Sequence, residues 1–294
     1  MAISDNLRGA LYMNVAMAAF TLNDAGMKTA TQTLPLFEAI ALRGAITSAL
    51  LIALGLRMGG LRHRLSPRDR GVVGWRTLAE VGATITFLTA LVHMPLANLS
   101  AIMQALPLAV TLAAALFLGE RIGWRRLVAI LIGFVGVLII IRPGTEGFDT
   151  WSVMGLGSVA CVVLRDLSTR RLSPQVPTVL VAVFSAVGVM AVGLAGTLFT
   201  GWHPVSRAEV LATALASVAL IGGYVFGVMA MRVGDIGFVA PFRYTSLLWA
   251  IALGWLVFST LPDLTTLVGA GIVIATGIFT LYRERQLARA PAAG

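Results

Sequence analysis

Apolar stretches of about twenty residues recur along this chain with little between them, and that recurrence constrains its fold more than any other feature. A helix needs ~20 apolar residues to span the hydrocarbon core of a bilayer. Ten segments of that size can be read, at 9–30, 35–57, 72–93, 97–117, 124–141, 152–169, 177–199, 209–231, 235–257 and 264–282. Pro35, Pro95, Pro143, Pro174, Pro204 and Pro262 fall in or beside the breaks between them, where proline is tolerated. Composition agrees: 58% of the 294 residues are hydrophobic and 12% are charged. An ordinary soluble domain carries about 25% charged residues, and with half of that a water-soluble fold would lack the polar surface to cover itself. The expectation is an all-α membrane protein whose partner is the lipid bilayer.

The net charge of +9 invites a nucleic-acid reading, but the basic residues argue against one. They come in short clusters between apolar spans, without aromatic interleaving, which is the pattern of loops on a cytoplasmic membrane face. Arg57, Arg62, Arg64, Arg68, Arg70 and Arg76 crowd the second loop, and Arg121, Arg125 and Arg126 the fourth. Arg165, Arg170 and Arg171 mark the sixth, and Arg283, Arg285 and Arg289 the tail. The alternate loops hold little beyond Lys28, Arg142 and Arg207. Even-numbered loops are therefore expected inside, with both termini cytoplasmic, in a bacterial inner membrane. Met1–Asn6 runs straight into the first span, with no cleavable signal.

Chemistry-bearing patterns are sparse. Cys161 is the one cysteine, so neither an internal disulfide nor a thiolate metal site can be built. His63, His93 and His203 sit in loops or at span ends without metal-ligand spacing. HExxH, GxSxG and GxxxxGK[ST] do not occur, which speaks against an enzyme and an ATP-driven pump, and no metal or cofactor is implied. An intramembrane enzyme would need catalytic histidine or aspartate pairs at matching depth, and none is convincing. No loop is long enough for a receptor's extramembrane domain.

The chain also looks doubled. Residues 97–141, with Leu118-Gly119-Glu120 at a helix junction, resemble residues 235–282, with Phe258-Ser259-Thr260 at the equivalent place. Two repeats, 1–145 and 146–294, would hold five helices each. Five is odd, so the second must enter the membrane from the opposite side, giving ten transmembrane helices in two inverted five-helix repeats, a plan common in secondary transporters.

Met94-Pro95-Leu96-Ala97, Pro107-Leu108, Leu118-Gly119-Glu120-Arg121, Gly133-Phe134-Val135-Gly136-Val137 and Arg142-Pro143-Gly144 together resemble the first repeat of the EamA type, within the drug/metabolite transporter superfamily. Gly234-Asp235, Ala240-Pro241-Phe242, Tyr244, Leu248-Trp249-Ala250, Gly254-Trp255 and Leu261-Pro262-Asp263 follow its second repeat. The resemblance covers essentially the whole chain. It implies a central cavity between the inverted repeats and the export or exchange of small metabolites, with greatest similarity to bacterial amino-acid exporters of the YddG kind. Drug-like cations and nucleotide-sugar-type metabolites are the alternative cargoes. Ser259-Thr260 replaces the Gly-Glu often found in the second repeat, so a role for paired junction glutamates is not expected.

Ionisable groups inside a membrane are costly, so each is a candidate for function: Asp24, Lys28, Glu38, Arg43, Glu80 and Arg243, with Arg165 and Asp166 nearer the cytoplasmic end of the sixth span. Asp24 lies ~9 Å and Arg43 ~12 Å below the outer ends of their helices, with Lys28 and Glu38 at only ~3–5 Å. Asp24 with Arg43, and Lys28 with Glu38, are expected to meet, either as structural ion pairs or as an outer gate or zwitterion site. Glu80 and Arg243 lie at equal depth, ~12 Å above the inner ends of theirs, and either pair or each hold one end of an amino acid. Asn23, Gln104, Tyr244 and Trp249 could present polar groups to a cargo. Pro107 and Pro241 interrupt their spans, either as simple kinks or as the broken helices that line transporter sites.

Overall fold

A computed structural model describes residues 5–120, 122–144, 149–233 and 235–289. Arg121, Gly234 and the expected repeat boundary at 145/146 lie outside the described residues, as does the start of the expected N-terminal segment. All regular structure among the described residues is helical: α1 Asp5–Ala30, α2 Leu36–Met58, α3 Pro67–His93, α4 Leu96–Met103, α5 Leu106–Leu118, α6 Trp124–Ile141, α7 Trp151–Arg170, α8 Thr178–Thr200, α9 Arg207–Val233, α10 Ile236–Val239, α11 Thr245–Phe258 and α12 Leu264–Arg289. Short 3-10 turns occupy Gly60–Arg62 and Ala240–Tyr244. Among the described residues eight spans are long and apolar enough to cross a membrane: α2, Leu96–Leu118, α6, α7, α8, α9, Ala240–Phe258 and Leu264–Arg283. The helices α1 and α3 are as long, but polar residues such as Asn14, Asn23, Asp24, Arg70, Arg76 and Glu80 dilute them.

Helix starts follow from local chemistry. At α3 the Asp69 amide donates to Ser66 Oγ at 3.1 Å, and Ser66 Oγ donates to Asp69 Oδ2 at 2.7 Å. At α9 the Ser206 amide donates to Glu209 Oε2 at 2.6 Å, and the Glu209 amide to Ser206 Oγ at 3.3 Å. These serine-x-x-acid boxes satisfy amides that a helix start leaves without partners, and Pro67 fits the first helical position. The first box sets the start of α3 five residues before the expected 72. Arg68 and Arg70 therefore stand on a helix and not in the second loop, and Arg76, already inside the expected span, lies farther along it.

The two expected spans that carry mid-span prolines are each divided. Gln104 and Ala105 have ψ of −16° and −15°, and Tyr244 and Thr245 have −13° and −16°. Those values are closer to a 3-10 turn than to the α-helical −42°. Pro107 falls in the first turn of α5, and Pro241 lies in the 3-10 turn before α11. Each following helix, of 13 and 14 residues, then ends in a left-handed residue, Gly119 (φ 71°) and Ser259 (φ 53°). The next amide reaches back six residues in both cases, Glu120 to the Ala114 carbonyl at 3.4 Å and Thr260 to the Gly254 carbonyl at 2.9 Å.

Helices α2 and α8 match in the same way. Both have 23 residues, both follow a proline (Pro35, Pro177), and both close on a positive-φ glycine (Gly59, Gly201). They pack antiparallel, with Gly44 on Met190, Gly193 on Ala41 and Gly196 on Phe37; a methyl group added at Gly193 would lie 2.5 Å from the Ala41 nitrogen. Helices α6 and α12 also run antiparallel, with Gly133 beside Thr276 and Gly136 against Gly269. Small residues let the backbones approach this closely where there is no water to drive association.

Contacts divide the chain into two compact units that each draw on both halves of the sequence. One comprises the described residues of Met1–Leu22, Met94–Val153 and Ala219–Gly294, and the other those of Asn23–His93 and Met154–Val218. The first contains the divided spans and the α6–α12 pair; the second contains α2, α3 and α8 and most of α7.

Candidate functional site

Helices α3, α7 and α8 of the second unit build a network of charges. Glu80, midway along α3, places Oε2 3.5 Å from Arg165 Nη1 and 3.8 Å from Arg76 Nη2. Arg76 and Glu80 are one turn apart on the same face. Arg165 reaches over from α7 and also holds Asp166 at 2.9 Å. Arg76 donates from Nε to Thr169 Oγ1 at 2.9 Å and from Nη1 to Ser185 Oγ on α8. The side chains of Glu80, Arg76 and Arg165 are 17%, 16% and 24% exposed, so the set is sheltered without being sealed.

Asn23 and Asp24 lie in the same unit. Asn23 Nδ2 donates to Asp24 Oδ1 at 2.8 Å, and the half-buried Arg43 acts on that carboxylate electrostatically. Asn23 is buried, and its Oδ1 has no hydrogen-bond partner among the described residues. The expected pairing of Lys28 with Glu38 does not form. Lys28 Nζ donates to the Leu91 carbonyl at 2.6 Å. Glu38, fully buried, instead accepts the His203 amide at 2.8 Å and bonds His203 Nδ1 at 2.8 Å. A buried carboxylate needs partners in fixed geometry, and the loop after α8 supplies two from one residue, the His203 amide and ring.

In the first unit the buried polar groups at the helix breaks are neutral. Gln104, buried at the break between α4 and α5, donates from Nε2 to Ser246 Oγ at 2.9 Å, and Thr21 Oγ1 donates to the Ser246 carbonyl at 3.4 Å. Tyr244 holds the matching break before α11. Its ring is buried, and its hydroxyl lies over Gly277 without a hydrogen-bond partner among the described residues. A side chain at position 277 would collide with that hydroxyl. Trp249 Nε1 donates to Asn14 Oδ1 at 3.0 Å. Arg243 is exposed and forms no ion pair among the described residues. Glu80, set at a matching depth by sequence, takes its cations from its own unit.

The structure thus brings Gln104 to Ser246, Trp249 to Asn14, Asp24 to Asn23 and Glu80 to Arg165. Arg165 and Asp166 stand among the ionisable groups that the sequence offers inside the spans, whereas Arg76, Ser185, Ser246 and Asn14 complete these sets without having been candidates. The i, i+4 spacing of Arg76 and Glu80 was the one signal that could have found any of them. Among the described residues no group of three His, Cys, Asp or Glu could hold a metal ion.

Residues 7–142 match the EamA-like transporter family. The chain is 31% identical to the pseudopaline exporter CntI of Pseudomonas aeruginosa (strain UCBPP-PA14), over 95% of this chain and 97% of that protein. It is 27% identical to a riboflavin transporter of Vibrio cholerae, over 96% of each. To the S-adenosylmethionine uptake transporter of Rickettsia prowazekii (strain Madrid E) it is 23% identical, over 97% of this chain and 96% of that one. One solved crystal structure shares the fold, with a TM-score of 0.64 at 24% identity over 95% of this chain and 98% of its own. The named relatives are transporters, not enzymes, with small molecules as cargo.

Proposed function

Since the chain belongs to the EamA-like transporter family and is a multi-pass membrane protein, we propose that it is a secondary transporter of amino acids or related zwitterionic metabolites, working by alternating access. The observation that carries the mechanism is the antiparallel packing of matched helices. Helices α2 and α8 share length, leading proline and closing glycine, and they run in opposite directions. The same opposition holds for α6 and α12, each of which follows a span divided at the same place. Matched elements of opposite direction support ten membrane-crossing spans in two inverted five-helix repeats, 1–145 and 146–294. In such a plan one repeat can rock against the other about a midplane site.

The charge network favours a zwitterionic cargo. Two arginines and two carboxylates form a balanced set around Glu80 and Arg165. A zwitterion can exchange into such a set pair for pair: its carboxylate takes a guanidinium fork and its ammonium takes Glu80, and no charge is left uncompensated. Clustering of arginines in alternate loops supports both termini facing the cytoplasm of an inner membrane.

Uptake of labelled amino acids into proteoliposomes is the direct test. Saturable counterflow that unlabelled amino acids compete is the expected result, and it should fall at least tenfold in Arg165→Ala. Competition by drug-like cations or nucleotide-sugars alone would move the reading to those cargoes. Folded protein that transports none of these would end it.

A further inference from the structure

A groove of about 270 Å³ opens in the second unit where α2 ends and α3 and α8 begin. Leu61, Leu65, Leu180 and Phe184 line it with hydrocarbon, and His63 and Arg70 stand at its polar edge. The chain builds this shape deliberately. Gly59, at φ 70°, turns the backbone after α2. Leu61 then folds back onto Gly55, where an added methyl group would lie 2.8 Å from its side chain, and Gly60 meets Val179 at the start of α8. Arg70 Nε donates to the Leu65 carbonyl at 3.2 Å, which fixes that guanidinium beside the groove.

The charge around the groove has one sign. Residues 57–70 hold five arginines and a single acid, Asp69. Asp69 does not neutralise its exposed neighbours, because its carboxylate is turned inward. It is 4% exposed and is taken up by Ser66 Oγ at 2.7 Å and by the Ser173 amide and hydroxyl at 3.1 and 3.0 Å. Arg62, Arg64 and Arg70 are exposed and form no ion pair among the described residues. Phe184 is 45% exposed on the flank of α8.

We propose that this groove is a specific site for an anionic phospholipid, with one acyl chain along Leu61, Leu65, Leu180 and Phe184 and the phosphate on Arg70, in the field of the exposed Arg62 and Arg64 on the same turn. Charge complementarity selects this occupant. The site lies at one end of three helices, where a bilayer passes from hydrocarbon to headgroup, and an apolar slot edged by the Arg70 guanidinium, on a turn rich in arginine, matches a lipid that is apolar along its length and anionic at its end. Arginine's planar fork binds phosphate oxygens in pairs. A bound lipid would brace the turn that joins α2 to α3 against the start of α8. The site requires only that these helix ends lie at a membrane surface, and it holds whatever the cargo is.

Native mass spectrometry of the full chain in detergent tests this, with phosphatidylglycerol titrated against phosphatidylcholine of identical chains. Phosphatidylglycerol is expected to be retained at least tenfold more tightly. In R62Q/R64Q/R70Q its affinity should fall about 100-fold, roughly fivefold for each basic side chain, and that of phosphatidylcholine should not change. Equal retention of the two lipids, or an unchanged triple variant, overturns the proposal. Full competition by glycerol phosphate would also overturn it, since that would show an anion site without a chain groove. Should the triple variant fail to fold, wild-type protein labelled with a photoactivatable phosphatidylglycerol decides. Crosslinks at residues 61–65 and 180–184 support the site, and crosslinks only elsewhere overturn it.

Discussion

The two units handle polarity inside an apolar chain in opposite ways. The second carries charges well within its helices: Glu80 is midway along α3, with Arg76 and Arg165 around it, and Asp24 lies near Arg43. The first keeps neutral groups inside, at Gln104, Ser246 and Tyr244, and its one described ion pair between helices, Arg142 with Asp263, sits at helix ends. The helices differ correspondingly. Those that carry the charges are continuous, and those that carry the neutral groups are divided. A continuous helix satisfies its own backbone, so its polar side chains must find partners on other helices, and charges hold such partners most firmly. A divided helix frees backbone groups at the break, and neutral side chains gather there.

The sharpest way to break the comparison is to remove Glu80. In Glu80→Ala two guanidiniums lose a sheltered carboxylate, and loss of one partner from such a set costs about 3 kcal/mol. The expected outcome is a large fall in melting temperature in detergent. Glu80→Ala/Arg165→Ala should recover part of that loss, because the second change removes one of the stranded charges. Independent, additive effects would show that the two do not interact and would erase the contrast between the units.

The neutral set should respond less. Gln104→Leu removes the bond to Ser246 Oγ and leaves that hydroxyl short of a partner, at a cost of about 1 kcal/mol. Melting temperature should fall by a fraction of the Glu80→Ala effect. A stability loss equal to that of Glu80→Ala would mean that Gln104 belongs to a network as tightly coupled as the charged one.

What could be read in the sequence divides along the same line. Long apolar spans, the family resemblance and the prolines of the divided helices are local patterns, and a single chain displays them. The two serine-x-x-acid boxes at Ser66 and Ser206 are equally local; they place the starts of α3 and α9 and move Arg68 and Arg70 from a loop onto a helix. Partners were another matter. Depth along a helix predicts which groups share a level but not which faces meet, so Glu80 was matched by level with Arg243, while its cations come from α7 and from one turn away. Glu38 shows the same limit. Its partner His203 arrives from 165 residues away, on a loop whose path depends on α8 packing against α2.

The smallest effect is expected at Arg142–Asp263, the charge pair that the first unit keeps at its helix ends. Arg142 closes α6 in a left-handed conformation, φ 54°, and its guanidinium meets Asp263, which also accepts the Thr266 amide at 2.8 Å at the start of α12. The Thr266 hydroxyl, followed by the Arg142 guanidinium, holds the Asp263 carboxyl below the usual carboxylate range. A carboxyl depressed in the folded state stabilises above its unfolded pKa of ~3.9, and that contribution is lost as pH falls toward its folded value. Asp263 is half exposed, so the pair is worth about 0–1 kcal/mol. Asp263→Asn keeps an acceptor for the helix start and removes only the charge. Its melting temperature at pH 7 should fall slightly, and the decline of wild-type stability below pH 4 should be shallower in the variant. An acid limb identical in the two proteins would show that the pair contributes nothing. The charges that matter to stability would then be those within the second unit, and the contrast between the units would be complete.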